Sequence, residues 1–210
     1  MALTYQNQFY NDQVSFIAGC DEAGRGPLAG PVVAAAVIFP KDYQNELIND
    51  SKQLSEKKRE ELYRVIQENA LAIGVSIVDA DTIDRINIYE AARLAMKEAL
   101  AQIKHPIDLV LTDAMPIPNY PVKVIDIVKG DALALPIAAA SIIAKVTRDH
   151  LMNELDQHYP DYKFAKHKGY GTKEHLEAIK KFGPIEHIHR KTYKPIRKIL
   201  EGDMNLFEDF

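Results

Sequence analysis

Apolar residues fall into short runs set between turns and amphipathic stretches, a pattern that predicts strands alternating with helices. Phe16-Ile17-Ala18-Gly19-Cys20 is one such run, and residues 32–39 form a longer one ended by Pro40. Residues 71–78, 109–112 and 122–128 read the same way. Their strand-like length and bounding turn residues predict buried strands. A first helix over residues 55–69 starts at a Ser55 cap and lines Leu62, Val65 and Ile66 along one face. A second opens at Asn87-Ile88-Tyr89-Glu90, a capping box with Asn as cap, and carries the stripe Ile88, Ala91, Ala92, Ala95, Ala99 and Ile103. A third begins near Pro136 and runs to about His158; a fourth starts at Thr172 and stops at Gly183-Pro184. The class is α/β with a mainly helical C-terminal third. No repeat, low-complexity tract or linker composition marks a boundary. The expectation is one domain over residues 1–210, with 160–210 a helical, basic extension packed on it.

Composition narrows the class. Of 210 residues, 47 % are hydrophobic and 27 % charged, which is the balance of a globular chain rather than a disordered one. A single cysteine, Cys20, excludes a disulfide scaffold and a cysteine-rich zinc module. The opening MALTYQNQFYNDQ has neither a basic start nor an apolar run, so no signal peptide is expected. The apolar runs are far short of the roughly 20 residues that cross a bilayer. A cytoplasmic monomer without membrane contact is the expectation.

The formal charge of −4 argues at first against a nucleic-acid partner, but it averages two unlike parts. Residues 163–198 hold eleven Lys or Arg against three Glu, a net +8, which leaves −12 for the rest of the chain. His167, His175, His187 and His189 fall in the same segment. Such a segment reads equally as a solvated basic surface or a phosphate-facing one. Nothing in the spacing gives any of its histidines a proton-shuttling role, and they are expected at the surface.

The candidate chemistry lies where acids end strands. Asp21-Glu22 follows the first apolar run, Asp113 closes residues 109–112, and Asp131 follows the last strand after Lys129-Gly130. In α/β proteins, functional groups collect beyond strand ends. Four converging carboxylates would raise one another's pKa unless a cation lay among them. All-oxygen ligands suit Mg²⁺ or Mn²⁺, and two such ions about 4 Å apart suit in-line displacement at phosphorus. Asp113 and Asp131 equally suit turns or helix caps, and Asp21-Glu22 a polar strand end. Spacing alone leaves both readings open.

Ala23-Gly24-Arg25-Gly26-Pro27 follows at once. Gly24 and Gly26 permit positive φ and close backbone approach to a ligand, and Arg25 offers a planar fork for phosphate. The stretch lacks the dinucleotide fingerprint and the Walker lysine, which disfavours a nucleotide cofactor; a plain turn explains it too.

Taken together, these stretches resemble bacterial ribonuclease HII, the type 2 ribonuclease H. The resemblance rests on residues 21–32 (DEAGRGPLAGPV), residues 50–55 (DSKQLS), Asp113, Lys129-Gly130-Asp131, residues 138–149 (AAASIIAKVTRD) and residues 167–172 (HKGYGT), in family order. It implies an RNase H-like fold, a mixed central sheet flanked by helices. It also implies hydrolysis of RNA in RNA·DNA hybrids and nicking 5′ of single ribonucleotides in duplex DNA, leaving a 3′-hydroxyl and a 5′-phosphate. The family's metal-binding acids fall on Asp21, Glu22, Asp113 and Asp131, with two divalent ions, Mg²⁺ or Mn²⁺, in the active complex. Gly24, Arg25 and Gly26 would read the ribose 2′-hydroxyl and its phosphates, since the 2′-OH separates RNA from DNA. Tyr170 would pack on the adjacent deoxyribose, and Lys52, Ser141, Lys145 and Lys168 would contact phosphates.

Two alternatives to that enzyme are a non-catalytic hybrid-binding protein, with structural acids, and an RNase H-like nuclease for another substrate. The tail Asp203-Met204-Asn205-Leu206-Phe207 loosely resembles a sliding-clamp docking peptide, with Met204, Leu206 and Phe207 as anchors. Asp and Met replace the usual Gln and Leu there, and a frayed terminus is the competing reading.

Overall fold

The computed structural model describes residues 3–202. They form two compact units, one of residues 3–23, 33–77 and 92–147 and one of residues 24–32, 78–91 and 148–202. The tail with Met204, Leu206 and Phe207 lies outside the described residues. Among those described, no helix is long and apolar enough to cross a membrane.

The first unit is built on a five-stranded mixed sheet. Its strands are β1 (Ile17–Ala23), β2 (Val32–Ile38), β3 (Ala72–Val78), β4 (Leu109–Asp113) and β5 (Lys123–Ile127), in the order β3-β2-β1-β4-β5. β1 runs antiparallel to β2 and parallel to β4, and β4 runs parallel to β5. All seven residues of β2 are buried, as are the first five of β1 and four of β4. Not every strand is buried as the apolar runs predict. β3 and β5 are the sheet's two edges, and each is only partly covered, with Ile77 51 % exposed. Beyond β5, Val128 stands 74 % exposed, because an edge strand has one neighbour and an incomplete cover.

Helix α1 (Glu56–Asn69) starts at Ser55, whose hydroxyl accepts the Lys58 N–H at 3.3 Å. The long helix α4 (Leu135–His158) gives residues 135–147 to this unit, one residue earlier at its start than the sequence predicts. Ile137 of α4 joins Ile17, Leu109, Leu111, Ile127 and Ala134 in one apolar cluster. Gly19 sets how closely α4 approaches β1: a Cβ there would lie 2.1 Å from the Pro136 carbonyl carbon.

Helix α2 (Ala80–Ile86), which the sequence pattern does not predict, is capped by Asp79 accepting the Thr82 N–H at 2.7 Å. Asn87 then takes a positive φ of 67° and accepts from the N–H groups of Tyr89 and Glu90, separating α2 from α3 (Ile88–Ala101). Ile103 therefore lies past the end of the helix whose stripe it was expected to join. The second unit also contains α5 (Phe164–His167), α6 (Lys173–Phe182) and α7 (Lys194–Leu200). Thr172 caps α6 through the His175 N–H, and Gly183 follows its end with φ +83°. This unit's core gathers Leu28, Met152, Phe164, Leu176, Ile179 and Ile196.

Candidate active site

β1 runs further than its apolar stretch. Asp21, Glu22 and Ala23 pair with Ala35, Ala34 and Val33 of β2, so both acids stand inside the strand rather than after it. That fixes the Asp21 backbone on a rigid element and leaves its side chain 5 % exposed. Asp113 is the last residue of β4. Ala114 after it turns with φ +49°, and the Thr112 hydroxyl donates to the Met115 carbonyl at 2.7 Å, which holds that turn. Lys129 adopts a left-handed conformation that starts the 3₁₀ turn Gly130–Ala132. The Gly130 N–H donates to Asp113 Oδ1 at 2.8 Å, and Asp131, 4 % exposed, is carried in the same turn.

Asp21, Asp113 and Asp131 each bring a carboxylate oxygen within 4.8 Å of the others. Glu22 is not in that tight group, although its charge bears on Asp21. Burial, then the negative charges of Glu22 and Asp113, push the Asp21 carboxyl well above the ordinary carboxylate range. Burial and the charge of Asp131 also raise Asp113, against the pull of the Gly130 N–H. Three convergent carboxylates, two of them buried, form an all-oxygen donor set with excess negative charge, and that fits a hard divalent cation.

Lys52 Nζ reaches Asp131 Oδ2 at 3.2 Å while its side chain stays largely exposed. Partial burial pulls its amine down, but Asp131, Asp21 and Asp50 together hold it above its ordinary value. The Lys52 N–H donates to Asp50 Oδ1 at 2.9 Å, and the next link is Ser51, whose Oγ lies 2.6 Å from Ser141 Oγ. Ser141 is thus buried against protein, tying the lysine's 3₁₀ turn to α4. Lys145 sits half-buried one turn further along α4.

The remaining expected contacts lie in the second unit. Gly24 has φ +100°, and a Cβ there would come within 2.2 Å of Arg148 Nε. Arg25 and Gly26 are exposed, and the nearest atom to a Cβ on Gly26 would be Tyr170 Cε1 at 3.5 Å. Tyr170 is 46 % exposed, so the turn and the tyrosine ring share one stretch of surface. Lys168 donates to Asn153 Oδ1, and its own carbonyl accepts from Arg148 Nη1 at 2.9 Å.

The histidines behave otherwise than expected. Of the four, only His187 is exposed, 2.5 Å from Asp81; His167, His175 and His189 are buried, with His167 stacked on His175 and His189 tilted against His175. His189 Nδ1 accepts the Ile185 N–H at 2.8 Å, which leaves the proton on Nε2 for His175 Nε2 at 3.1 Å. His175 Nδ1–H then donates to the Tyr170 carbonyl at 2.9 Å. His167 accepts the Gly169 N–H at 3.2 Å and donates to the Tyr162 carbonyl at 2.8 Å. In this pattern each of the three buried rings carries one proton, as a neutral imidazole does. Burial drives His175 down to about 3 and His189 to about 4. The sequence signals surface because the segment is basic; the burial comes from apolar partners such as Phe164, which is distant from two of the three rings in sequence.

Comparison with known proteins agrees with this geometry. The family model for ribonuclease HII matches residues 18–196. A ribonuclease HII of Caldanaerobacter subterraneus subsp. tengcongensis is 54 % identical over 198 residues, covering 94 % of this chain and 81 % of that protein. Among solved structures, the ribonuclease H2 of Pyrococcus horikoshii superposes with a TM-score of 0.76 at 29 % identity, covering 90 % of this chain and 99 % of that one. The RNase HII solved as a PCNA complex from Archaeoglobus fulgidus gives 0.71 at 27 % identity, covering 85 % and 95 %. The sheet is accordingly RNase H-like, and the chain belongs to the ribonuclease HII family.

Proposed function

We infer that this protein is a metal-dependent endoribonuclease of ribonuclease H type 2, cutting the RNA strand of RNA·DNA hybrids and nicking 5′ of ribonucleotides embedded in duplex DNA. The observation that carries this reading is the convergence of Asp21, Asp113 and Asp131 within 4.8 Å in a chain of this family. Mg²⁺ or Mn²⁺ suits the oxygen-only donors, and when bound it supplies charge neutralisation at phosphorus and a more acidic water. Asp21 and Asp131 hold the donor oxygens on rigid backbone, and Asp113 is oriented by the Gly130 N–H. Glu22, one residue along β1, serves as an outer carboxylate of the same set.

Lys52 offers its ammonium beside Asp131, where a substrate phosphate would need positive charge. Gly24, Arg25 and Gly26 form the turn that reads the 2′-hydroxyl, because a backbone without Cβ atoms allows a ribose close approach. Tyr170 supplies the aromatic face for the neighbouring sugar, and Lys145 and Lys168 add positive charge toward the backbone. Ser141 acts through Ser51, holding the turn that carries Lys52. The PCNA complex of the Archaeoglobus relative supports a clamp contact for the tail with Met204, Leu206 and Phe207.

The test is nicking of a DNA duplex containing one ribonucleotide, with Mg²⁺ or Mn²⁺ against EDTA. Asp113→Asn and Asp131→Asn are expected to abolish it while circular dichroism stays unchanged. Undiminished metal-dependent nicking by both variants would overturn the site. Cation-independent binding without cleavage would instead favour a hybrid-binding protein, and equal cutting of an all-DNA duplex a different nuclease.

A further inference from the structure

Two guanidinium groups are buried in the second unit, and the substrate-reading role assigned to Gly24-Arg25-Gly26 gives neither of them a task. Arg148, on α4, is 1 % exposed and Arg190 is fully buried. Buried cations are normally matched to carboxylates. Among the described residues, neither of these bonds one. Arg190 spends all five of its N–H donors on oxygens: Nε on the Gly30 carbonyl at 3.0 Å, Nη2 on the carbonyls of Gly24 at 2.6 Å and Gly30 at 2.9 Å, and Nη1 on the Arg25 carbonyl at 3.0 Å and the Tyr193 hydroxyl at 2.9 Å. The Tyr193 hydroxyl in turn donates to the Arg25 carbonyl at 2.5 Å. Arg148 takes the carbonyls of Pro31, Ala29 and Lys168 at 2.9, 3.0 and 2.9 Å.

The bonded atoms lie at both ends of one loop. Gly24 and Arg25 open it, Ala29, Gly30 and Pro31 close it, and Lys168 stands two residues before Tyr170. The loop's own N–H donors at Leu28 and Gly30 point outward, to the carbonyls of Gly169 and Ile188 at 2.8 Å each. With its carbonyls drawn inward to the two guanidiniums, the loop is fixed in one conformation at Gly24 and Arg25. We propose that Arg190, seconded by Tyr193 and Arg148, is the positioning residue of ribonucleotide recognition: it clasps the carbonyls of Gly24 and Arg25 so that the turn is held ready for the 2′-hydroxyl before substrate arrives. A turn fixed in advance does not have to be ordered on binding, so the clasp acts on the substrate's KM. The two cations, neither bonded to a carboxylate, also place positive charge beneath a turn that is to meet phosphate. Arg190 itself, fully buried, touches no substrate.

The proposal rests on the nuclease reading, and the experiment separates the two. Tyr193→Phe removes one hydroxyl from the clasp and leaves the Arg190 guanidinium in place; Arg190→Lys keeps the charge and loses the fork. Nicking of the single-ribonucleotide duplex is measured for each, alone and combined with Arg25→Ala, with melting temperature and Mn²⁺ binding to the free protein as controls. Tyr193→Phe is expected to keep its Mn²⁺ affinity, to lower its melting temperature by at most a few degrees, and to lose about tenfold in kcat/KM, mostly through KM. In the Arg25→Ala background the same change should cost less than about twofold, because the group being positioned is already gone. An equal loss in both backgrounds, or no loss in either, overturns the clasp. Should Arg190→Lys fail to fold, Tyr193→Phe decides alone. A wild-type protein that does not nick this duplex with either cation would defeat the nuclease reading instead.

Discussion

Lys52 Nζ lies 3.2 Å from Asp131 Oδ2, so one carboxylate of the Asp21–Asp113–Asp131 cluster carries an ammonium as its neighbour. A divalent cation entering the cluster meets that positive charge. Replacing Lys52 by Met should tighten Mn²⁺ binding to the free protein by about threefold to tenfold, the scale of one charge a few ångströms away in high dielectric. Nicking should fall nonetheless, since under the proposed function the same ammonium serves a substrate phosphate. Titration of free Mn²⁺ by electron paramagnetic resonance reads the first effect and a nicking assay the second. Unchanged Mn²⁺ affinity would show that the lysine swings clear of the cluster.

Asp21 stores repulsion. Its carboxyl is buried beside Glu22 and Asp113 and is held well above the ordinary range, so ionising it works against the fold. The sign follows: without metal, this group's contribution to stability is greatest below the unfolded carboxylate pKa and is lost as pH rises toward the folded one. Asp21→Asn should therefore raise the metal-free melting temperature at pH 8 by about 2–6 °C while removing activity. Added Mg²⁺ should stabilise the wild type and leave the variant nearly unmoved. A variant less stable than the wild type at pH 8 would contradict this account.

Much of this site is legible in the sequence. Asp113 and Asp131 each follow an apolar run, and strand-end acids are a pattern that needs no structure to see. What the apolar pattern hides is the extension of β1 through Asp21 to Ala23 by pairing with β2, because a backbone ladder leaves no apolar trace. α2 escapes for the same kind of reason: seven residues under an Asp79 cap are too short for a helical period to stand out. Arg190 is hidden most deeply. In a segment with eleven basic residues it looks like one more surface charge, and only the carbonyls of Gly24, Arg25 and Gly30, some 160 residues away, make it a buried one.

The buried histidines make stability depend on pH in the opposite sense to Asp21. His175 and His189, down at about 3 and about 4, stay neutral in the fold, whereas in the unfolded chain they take protons near 6.5. Their contribution is fully present above pH 6.5 and is lost as pH falls toward 4, by at most about 1.4 kcal/mol per pH unit for each ring. Urea unfolding at pH 7 and pH 5 should show a marked fall, and His189→Gln should flatten it. Because His175 stays neutral in the fold over this interval and keeps its bond to the Tyr170 carbonyl, the KM of the protein that remains folded should not change from this cause. A stability profile flat from pH 7 to pH 5 would mean that the rings take up protons in the fold as readily as in the unfolded chain.

Two glycines should separate folding from recognition. A Cβ on Gly19 would lie 2.1 Å from the Pro136 carbonyl carbon and 2.3 Å from the Ile137 nitrogen, both backbone atoms that cannot turn aside. Gly19→Ala must push α4 off β1 and should destabilise by about 3 kcal/mol or more, read as a lower urea midpoint. On Gly26 the added Cβ would meet only the Tyr170 ring, at 3.5 Å, an ordinary contact. Gly26→Ala should leave stability within about 0.5 kcal/mol, as surface substitutions usually do. Its kcat/KM on the ribonucleotide duplex should nonetheless fall about tenfold or more, because under the proposed function the methyl group occupies the space that the ribose enters. Full activity in Gly26→Ala would remove the turn from the substrate site, whatever Gly19→Ala did to the fold.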